Sequence, residues 1–118
     1  MAIHIKRIYE PDSKTDGYRI LVDRLWPRGI KKEDAHIDKW MKEIAPSTEL
    51  RQWFHHEEGN WAEFRKKYNT ELKASPAVEE LRSCIHEHKT VTFLYAAKDE
   101  EHNHALVLRE YMEKHAGL

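Results

Sequence analysis

Two short segments of the sequence turn abruptly from apolar residues to charged ones. The first, at residues 22–29, reads Val-Asp-Arg-Leu-Trp-Pro-Arg-Gly, and the second, at residues 94–104, reads Leu-Tyr-Ala-Ala-Lys-Asp-Glu-Glu-His-Asn-His. In an α/β protein such a switch marks the carboxyl end of a buried strand, which is where these folds keep their ligand sites. If both strands belong to one parallel sheet, the two charged segments lie side by side. We therefore expect a site at this edge of the sheet.

The basic residues of the two segments are suited to hold an anion. Arg24 and Arg28 carry planar guanidinium groups that bind phosphate or carboxylate through paired hydrogen bonds, and Lys98 adds a point charge. Trp26 could cover the organic part of a ligand by stacking on a base or sugar ring. It could equally anchor the core, and the sequence leaves both roles open.

Proton transfer at the same edge would fall to the acidic and imidazole side chains. We assign Asp23, Asp99 and His104 as candidate catalytic residues that would handle protons, and His104 could act as an acid or a base because the unperturbed pKa of a histidine lies near neutrality. We assign Asn103 to the ligand-binding set. The structural alternatives are that Arg24 pairs with Asp23 or Asp99 and only ties the strand ends together, and that His104 only caps local structure.

Histidine is abundant, with nine residues, but its pairs lack the spacing of a metal site. The pairs are His55 with His56, His86 with His88, and His102 with His104. They lie on separate segments, and residues i and i+2 of a helix do not share a face. We therefore expect solvated or paired histidines and no metal or other cofactor. We interpret Cys84 as a small core residue, since a single cysteine cannot form an internal disulfide.

Composition limits the class of protein. The chain has 118 residues, of which 40% are hydrophobic and 35% charged, and its 20 basic and 21 acidic residues give a net charge of −1. Proteins that bind duplex nucleic acid usually have a clear basic excess, so a nucleic-acid partner is disfavoured. No apolar run reaches the length of a signal peptide or a membrane span. We expect one cytoplasmic domain over residues 1–118, and the oligomeric state stays open.

The elements that position these residues follow from the apolar pattern. Branched apolar residues predict strands at about 3–9, 18–25 and 90–97. Apolar residues spaced i, i+3, i+4 and i+7 over 37–44 predict a helix that ends before Pro46. Further helices are predicted after Ser47 or Thr48, from Asn60 with a capping box to Glu63, after Ser75-Pro76, and from the acidic residues 99–101.

The order of these elements defines the fold class. The last strand follows the second after a long helical stretch, so the two should pair in parallel through a helical crossover. We predict an α/β fold, with a small, mostly parallel sheet of about three or four strands covered by about five helices.

Several groups of residues also occur together in a familiar order. They are 22–29 as quoted above, Ala-Pro-Ser-Thr-Glu-Leu-Arg at 45–51, Trp53-Phe54-His55-His56, Trp61 with Phe64, and Tyr95-Ala96-Ala97-Lys98 followed by Asn103-His104-Ala105. In these motifs the chain resembles the YeaO-like branch of the domain-of-unknown-function 488 family, over about residues 3–113. The resemblance implies an α/β domain in a small soluble bacterial or archaeal protein, without an established reaction.

The chain departs from other branches of that family at two places. Those branches look as if they carry Cys-Ala-Glu where this sequence reads Tyr95-Ala96-Ala97, and Cys-His-Arg where it reads Asn103-His104-Ala105. Only the histidine is shared. A thiol-based mechanism therefore does not carry over to this chain.

Two hypotheses of function remain. The first is binding or processing of a small anionic ligand, nucleotide-like or phosphorylated, at the carboxyl edge of the sheet. The second is a non-catalytic interaction module whose Arg/Lys patch binds an acidic protein partner or nucleic acid. An enzyme needs a concave pocket around these residues, whereas a module presents them on a flat or convex face.

Overall fold

Four parallel strands form the sheet of the computed structural model, which describes residues 2–56 and 60–115. They are β1 (Ala2–Arg7), β2 (Tyr18–Leu21), β3 (Lys39–Trp40) and β4 (Thr90–Tyr95). Their order across the sheet is β1-β4-β2-β3, and every neighbouring pair is parallel. The predicted α/β class with a small parallel sheet is confirmed.

The helices lie mostly between the third and fourth strands. They are α1 (Lys32–Ala35), α2 (Thr48–His56), α3 (Trp61–Ala74), α4 (Ala77–Glu87) and α5 (His104–His115), with single 3₁₀ turns at Lys14–Asp16 and Lys42–Ile44. The helices predicted after Ser47 or Thr48, from Asn60 and after Ser75-Pro76 are all present. Of the two predicted caps of α2, Ser47 is the one whose Oγ accepts a hydrogen bond from a helix N–H, that of Leu50, at 3.1 Å. The predicted capping box is wrong, because the Asn60 side chain caps no backbone N–H of α3.

The helix predicted over 37–44 is wrong, because its backbone pairs with β2 instead. The N–H of Asp38 donates to the Arg19 carbonyl at 2.9 Å, and the N–H of Met41 donates to the Leu21 carbonyl at 2.9 Å. Trp40 packs on one face of the sheet, and Met41 packs on the other. Apolar residues that looked like one helical stripe therefore serve two opposite sheet faces, as the two-residue period of a strand requires.

The two faces of the sheet are covered differently. One face meets the long helices through a large buried cluster that includes Ile20, Phe93 and Leu108. On the other face, Leu21 and Leu94 pack under the irregular segment that follows β2. The central strands are thus apolar on both sides, as expected for a covered parallel sheet.

The charged segments leave the sheet earlier than predicted. β2 ends at Leu21 rather than near residue 25, although the N–H of Val22 still donates to the Leu94 carbonyl at 3.0 Å. The last helix begins at His104, so the prediction that residues 99–101 open it is wrong. Instead, Asp99 Oδ1 accepts from the N–H groups of Glu101 and His102 and closes a turn ahead of the helix. These hydrogen bonds lower the pKa of Asp99, and the hydrogen bond from the Glu101 N–H has the largest effect.

Candidate functional site

The two charged segments leave the same edge of the sheet. β2 and β4 are hydrogen-bonded neighbours in parallel, with Leu21 beside Leu94. The segments that follow them therefore both start from the carboxyl edge. The predicted pairing of these two strands is confirmed.

Asp23 ties the end of β2 to the ends of its neighbours. Its Oδ2 accepts a hydrogen bond from the N–H of Ala96, just after β4, at 2.9 Å. Its main-chain carbonyl accepts from the indole N–H of Trp40, the last residue of β3, at 2.7 Å. The Asp23 side chain is only 14% exposed. Its observed contacts are those of a residue that holds three strand ends together.

His104 joins the start of α5 to the same point. Its Nε2 lies 2.8 Å from Asp23 Oδ1 and 3.1 Å from the Val22 carbonyl oxygen. The ring nitrogen has hydrogen-bond geometry toward the Val22 carbonyl, whereas Asp23 Oδ1 is buried without a directed hydrogen bond. A histidine beside a carboxylate can transfer protons. Here, however, Nε2 faces the chain's own carbonyl and carboxylate.

Arg24 is occupied by the main chain of a neighbouring loop. Its Nε donates to the Pro46 carbonyl at 3.2 Å, and its Nη2 donates to the Ala45 carbonyl at 3.1 Å. Within the described residues it forms no ion pair with Asp23 or Asp99. Arg24 therefore anchors the loop that leads into α2, through carbonyl oxygens that sequence reasoning did not consider.

Trp26 has the contacts of a core anchor. Its indole N–H donates to the Ile30 carbonyl at 2.6 Å, and its ring meets Trp40 edge to face, with 5.3 Å between ring centroids. It packs against the cluster of Leu21 and Leu94. Of the two roles that the sequence left open, these contacts favour the structural one.

Asn103 is buried at the start of α5 and caps it. Its Oδ1 accepts from the N–H of Leu106 at 3.0 Å. Its Nδ2 donates to the carbonyls of Asp99 and Glu100 at 3.0 and 3.2 Å. Each of these three hydrogen bonds is to a main-chain atom of its own loop and helix.

Arg28 and Lys98, by contrast, are exposed. Near Arg28, the hydroxyl of Tyr9 donates to the Arg28 carbonyl at 3.0 Å. The guanidinium of Arg7 lies 5.1 Å from the centre of the Tyr9 ring and donates from Nε to the Ala97 carbonyl at 2.9 Å. These contacts connect the loops after β1, β2 and β4 at the surface.

Two apolar residues that sequence reasoning missed belong to the same region. Tyr9 is 45% exposed and Leu25 is 59% exposed, and they are the exposed large hydrophobic residues of the described chain. Both follow strands at the carboxyl edge. We call Tyr9, Leu25, Arg28 and Lys98 the carboxyl-edge surface. The sequence placed Leu25 in the predicted strand 18–25. Because β2 ends at Leu21, Leu25 lies outside the strand, and it is exposed.

The described surface has two clefts, and most of their lining residues lie outside the carboxyl-edge surface. One, of about 560 Å³, lies at the amino edge of the sheet between residues 14–18 and 87–90. The other, of about 290 Å³, lies between residues 8–12 and 29–36. Tyr9 lines the second cleft, but Asp23, Arg24, Lys98 and His104 line neither.

The histidines are distributed over separate local contacts. His88 lies with Nδ1 2.8 Å from the Cys84 carbonyl and stacks on Tyr18, and His102 lies 3.1 Å from Asp99. Among the side chains of residues 2–54 and 60–115, no three His, Cys, Asp or Glu groups converge as metal ligands. The side chains of His55 and His56 lie outside the described part. Cys84 is buried, and burial raises the pKa of its thiol.

The chain is a small α/β protein. At the carboxyl edge of its sheet, the half-buried side chains of Asp23, Arg24 and His104 form hydrogen bonds with main-chain groups of the same chain. The chain belongs to the DUF488 family, and it matches the branch described as the inactive DUF488-N3 subclade over residues 2–117. No helix of the described residues is long and apolar enough to cross a membrane.

Several curated proteins are similar over most of their length. The chain is 50% identical over 112 residues to the uncharacterized protein YeaO of Escherichia coli K12, covering 95% of this chain and 97% of that one. It is 40% identical over 110 residues to the uncharacterized proteins Mb3100c of Mycobacterium bovis and Rv3073c of Mycobacterium tuberculosis, covering 93% of this chain and 92% of each. No solved structure matches the chain.

Proposed function

We propose that the protein is a non-catalytic interaction module that binds an acidic segment of a partner protein through the carboxyl-edge surface. The observation that carries this proposal is that some candidate residues are half-buried and bonded within the chain, whereas the cations Arg28 and Lys98 are exposed to solvent. Asp23, Arg24 and His104 are half-buried and contact the chain's own main chain, and the exposed candidate Asp99 accepts hydrogen bonds from the N–H groups of its own turn. Arg28 and Lys98 are exposed on open surface.

The apolar part of this surface favours a protein partner. Contiguous apolar patches rimmed by polar residues are typical of interaction sites, and Tyr9 and Leu25 both follow strands that end at the carboxyl edge. Tyr9 and Leu25 supply apolar contact area, and Arg28 and Lys98 supply charges that select acidic side chains. Aromatic residues and arginine are enriched at protein interfaces, which fits this composition.

The surrounding charges favour an acidic peptide over nucleic acid. Asp99, Glu100 and Glu101 are exposed directly after Lys98. A phosphate backbone would be repelled by these carboxylates, whereas a segment with a few spaced acidic residues can pair with the cations and avoid them. The description of the family branch as inactive agrees with a binding role.

The proposal is tested by affinity. The probe is a capped peptide of about eight residues in which glutamate alternates with valine, a pattern that offers both carboxylates and apolar contacts. We expect Arg28→Ala/Lys98→Ala to weaken its binding by about tenfold in calorimetry, since each lost ion pair contributes little alone. Lys66→Ala/Lys73→Ala removes the same charge from exposed positions of α3 and should bind like the parent.

A small anion at the same edge would give another result. Inorganic phosphate and ATP would then bind with saturation, and Arg24→Ala would abolish that binding in a variant that remains folded. Equal affinities of the two double variants for the peptide would also contradict the proposal.

A further inference from the structure

The outer edge of the sheet at β1 offers unpaired main-chain groups. The N–H of Ala2 donates to the Lys89 carbonyl, and the N–H of Ile8 donates to the Tyr95 carbonyl. In a parallel ladder alternate residues face the same neighbour, so the even-numbered residues of β1 face β4. Ile3 and Ile5 therefore direct their N–H and C=O groups away from the sheet. Within residues 2–56 and 60–115 these groups have no hydrogen-bond partner.

One carboxylate of the chain already occupies the end of this edge. The N–H of Arg7 also faces outward, and Glu10 Oε2 accepts from it at 3.1 Å. The free part of the edge thus runs over Ile3 and Ile5. It contains no proline or bulge, which are two of the devices that prevent another strand from pairing. Lys6 and Arg7 at its end supply a third device, charge, which opposes a strand of like charge.

The charges of β1 favour an acidic strand as the partner of its open edge. Its six residues include Lys6 and Arg7 and no acidic residue. Lys6 pairs with Asp16, but the Arg7 guanidinium contacts carbonyl oxygens and the Tyr9 ring rather than a carboxylate. Two copies of β1 side by side would place like charges on adjacent strands, which is destabilising. An acidic strand would bring opposite charges.

The edge leads toward the carboxyl-edge surface, with the Glu10 carboxylate at the Arg7 N–H between the two. Arg7, the last residue of β1, lies over the ring of Tyr9, which belongs to that surface. A segment that follows β1 therefore arrives at Tyr9 and Arg28, whose carbonyl accepts the Tyr9 hydroxyl.

We infer that the acidic partner segment binds as an added strand, pairing its main chain with Ile3 and Ile5 and continuing onto the carboxyl-edge surface. This inference depends on the proposed function and specifies the form of the partner. Strand addition takes its affinity from main-chain hydrogen bonds and its specificity from alternate side chains. The partner is therefore an extended segment in which acidic residues alternate with apolar ones.

Amide hydrogen exchange on the full chain tests the inference directly. In the free protein, the N–H groups of Ile3 and Ile5 should exchange faster than those of His4 and Lys6, which face β4. At a saturating concentration of the Glu-Val peptide, we expect exchange at Ile3 and Ile5 to slow by about tenfold or more. His4 and Lys6 serve as internal controls, because the peptide should leave their exchange unchanged.

A pair of variants gives a second readout. Ile5→Pro removes an N–H that does not bond to β4, so the internal ladder stays intact, and we expect peptide affinity to fall by about tenfold. Ile5→Val keeps the N–H and should bind like the parent. If Ile5→Pro fails to fold, the exchange experiment on the parent protein decides alone.

Three results would overturn the inference. Peptide binding that shifts the Arg28 and Lys98 resonances without protecting Ile3 and Ile5 would reject strand addition while leaving the proposed function standing. No peptide binding at all would reject both. Protection of Ile3 and Ile5 in the free protein that grows with protein concentration would show that a second copy occupies the edge.

Discussion

The imidazole of His104 lies 2.8 Å from the carboxylate of Asp23, at the point where α5 and the end of β2 meet. The same carboxylate accepts the N–H of Ala96 through its other oxygen. One acidic side chain thus connects the end of β2, the chain after β4 and the start of α5. These contacts support a structural role for the pair and lead to the first prediction.

Asp23→Ala should destabilise the protein by about 1–3 kcal/mol, because the partly buried N–H of Ala96 loses its acceptor. Urea unfolding at neutral pH measures the change. Asp12→Ala, at an exposed position, is the matched control and should change the free energy of unfolding by less than about 0.5 kcal/mol. A catalytic Asp23 would behave differently, since its removal would leave stability unchanged or raise it.

Arg24→Ala should lower the free energy of unfolding by about 1–3 kcal/mol, because the carbonyls of Ala45 and Pro46 lose their charged donor. Arg28→Ala removes the same charge from an exposed position and should cost less than about 0.5 kcal/mol. Thermal or urea unfolding of the two variants side by side makes the comparison. Equal costs would show that the Arg24 hydrogen bonds contribute nothing.

Asp16 gives the protein an acid-sensitive contribution to stability. Burial raises the pKa of its carboxyl group, but hydrogen bonds from Lys6, Ser13 and Arg19 outweigh burial and lower the pKa below 3.8. A lowered folded pKa stabilises the protein above the unfolded pKa of about 3.9, and this contribution is lost as the pH falls through the folded value.

The parent should therefore lose stability relative to Asp16→Asn as the pH falls from about 5 through the lowered folded pKa of Asp16. At neutral pH the variant should be the less stable of the two, since it loses the ion pairs with Lys6 and Arg19. Urea unfolding at several pH values measures both curves. A difference between the two proteins that stays constant with pH would contradict this assignment.

The sequence predicted the strands around Ile20 and Phe93 because apolar side chains on both faces are a local pattern. It could not predict that Trp40 and Met41 lie in a strand, since their spacing also fits a helix and only pairing with β2 decides between the two. The contacts of the candidate site could not be predicted from the sequence for the same reason. The residue types at 23–28 predicted charge at the carboxyl edge, but the partners of Arg24 are carbonyl oxygens whose positions depend on the whole fold.

The central claim is that the carboxyl-edge surface binds an acidic protein segment, and amide chemical shifts on titration test it most directly. The Glu-Val peptide should shift the resonances of Tyr9, Leu25, Arg28 and Lys98 with saturation. The same peptide with glutamine in place of glutamate, and inorganic phosphate at equal concentration, should leave them nearly unchanged. Saturable shifts with phosphate, together with none from the acidic peptide, would contradict the account and favour a small anionic ligand at this edge.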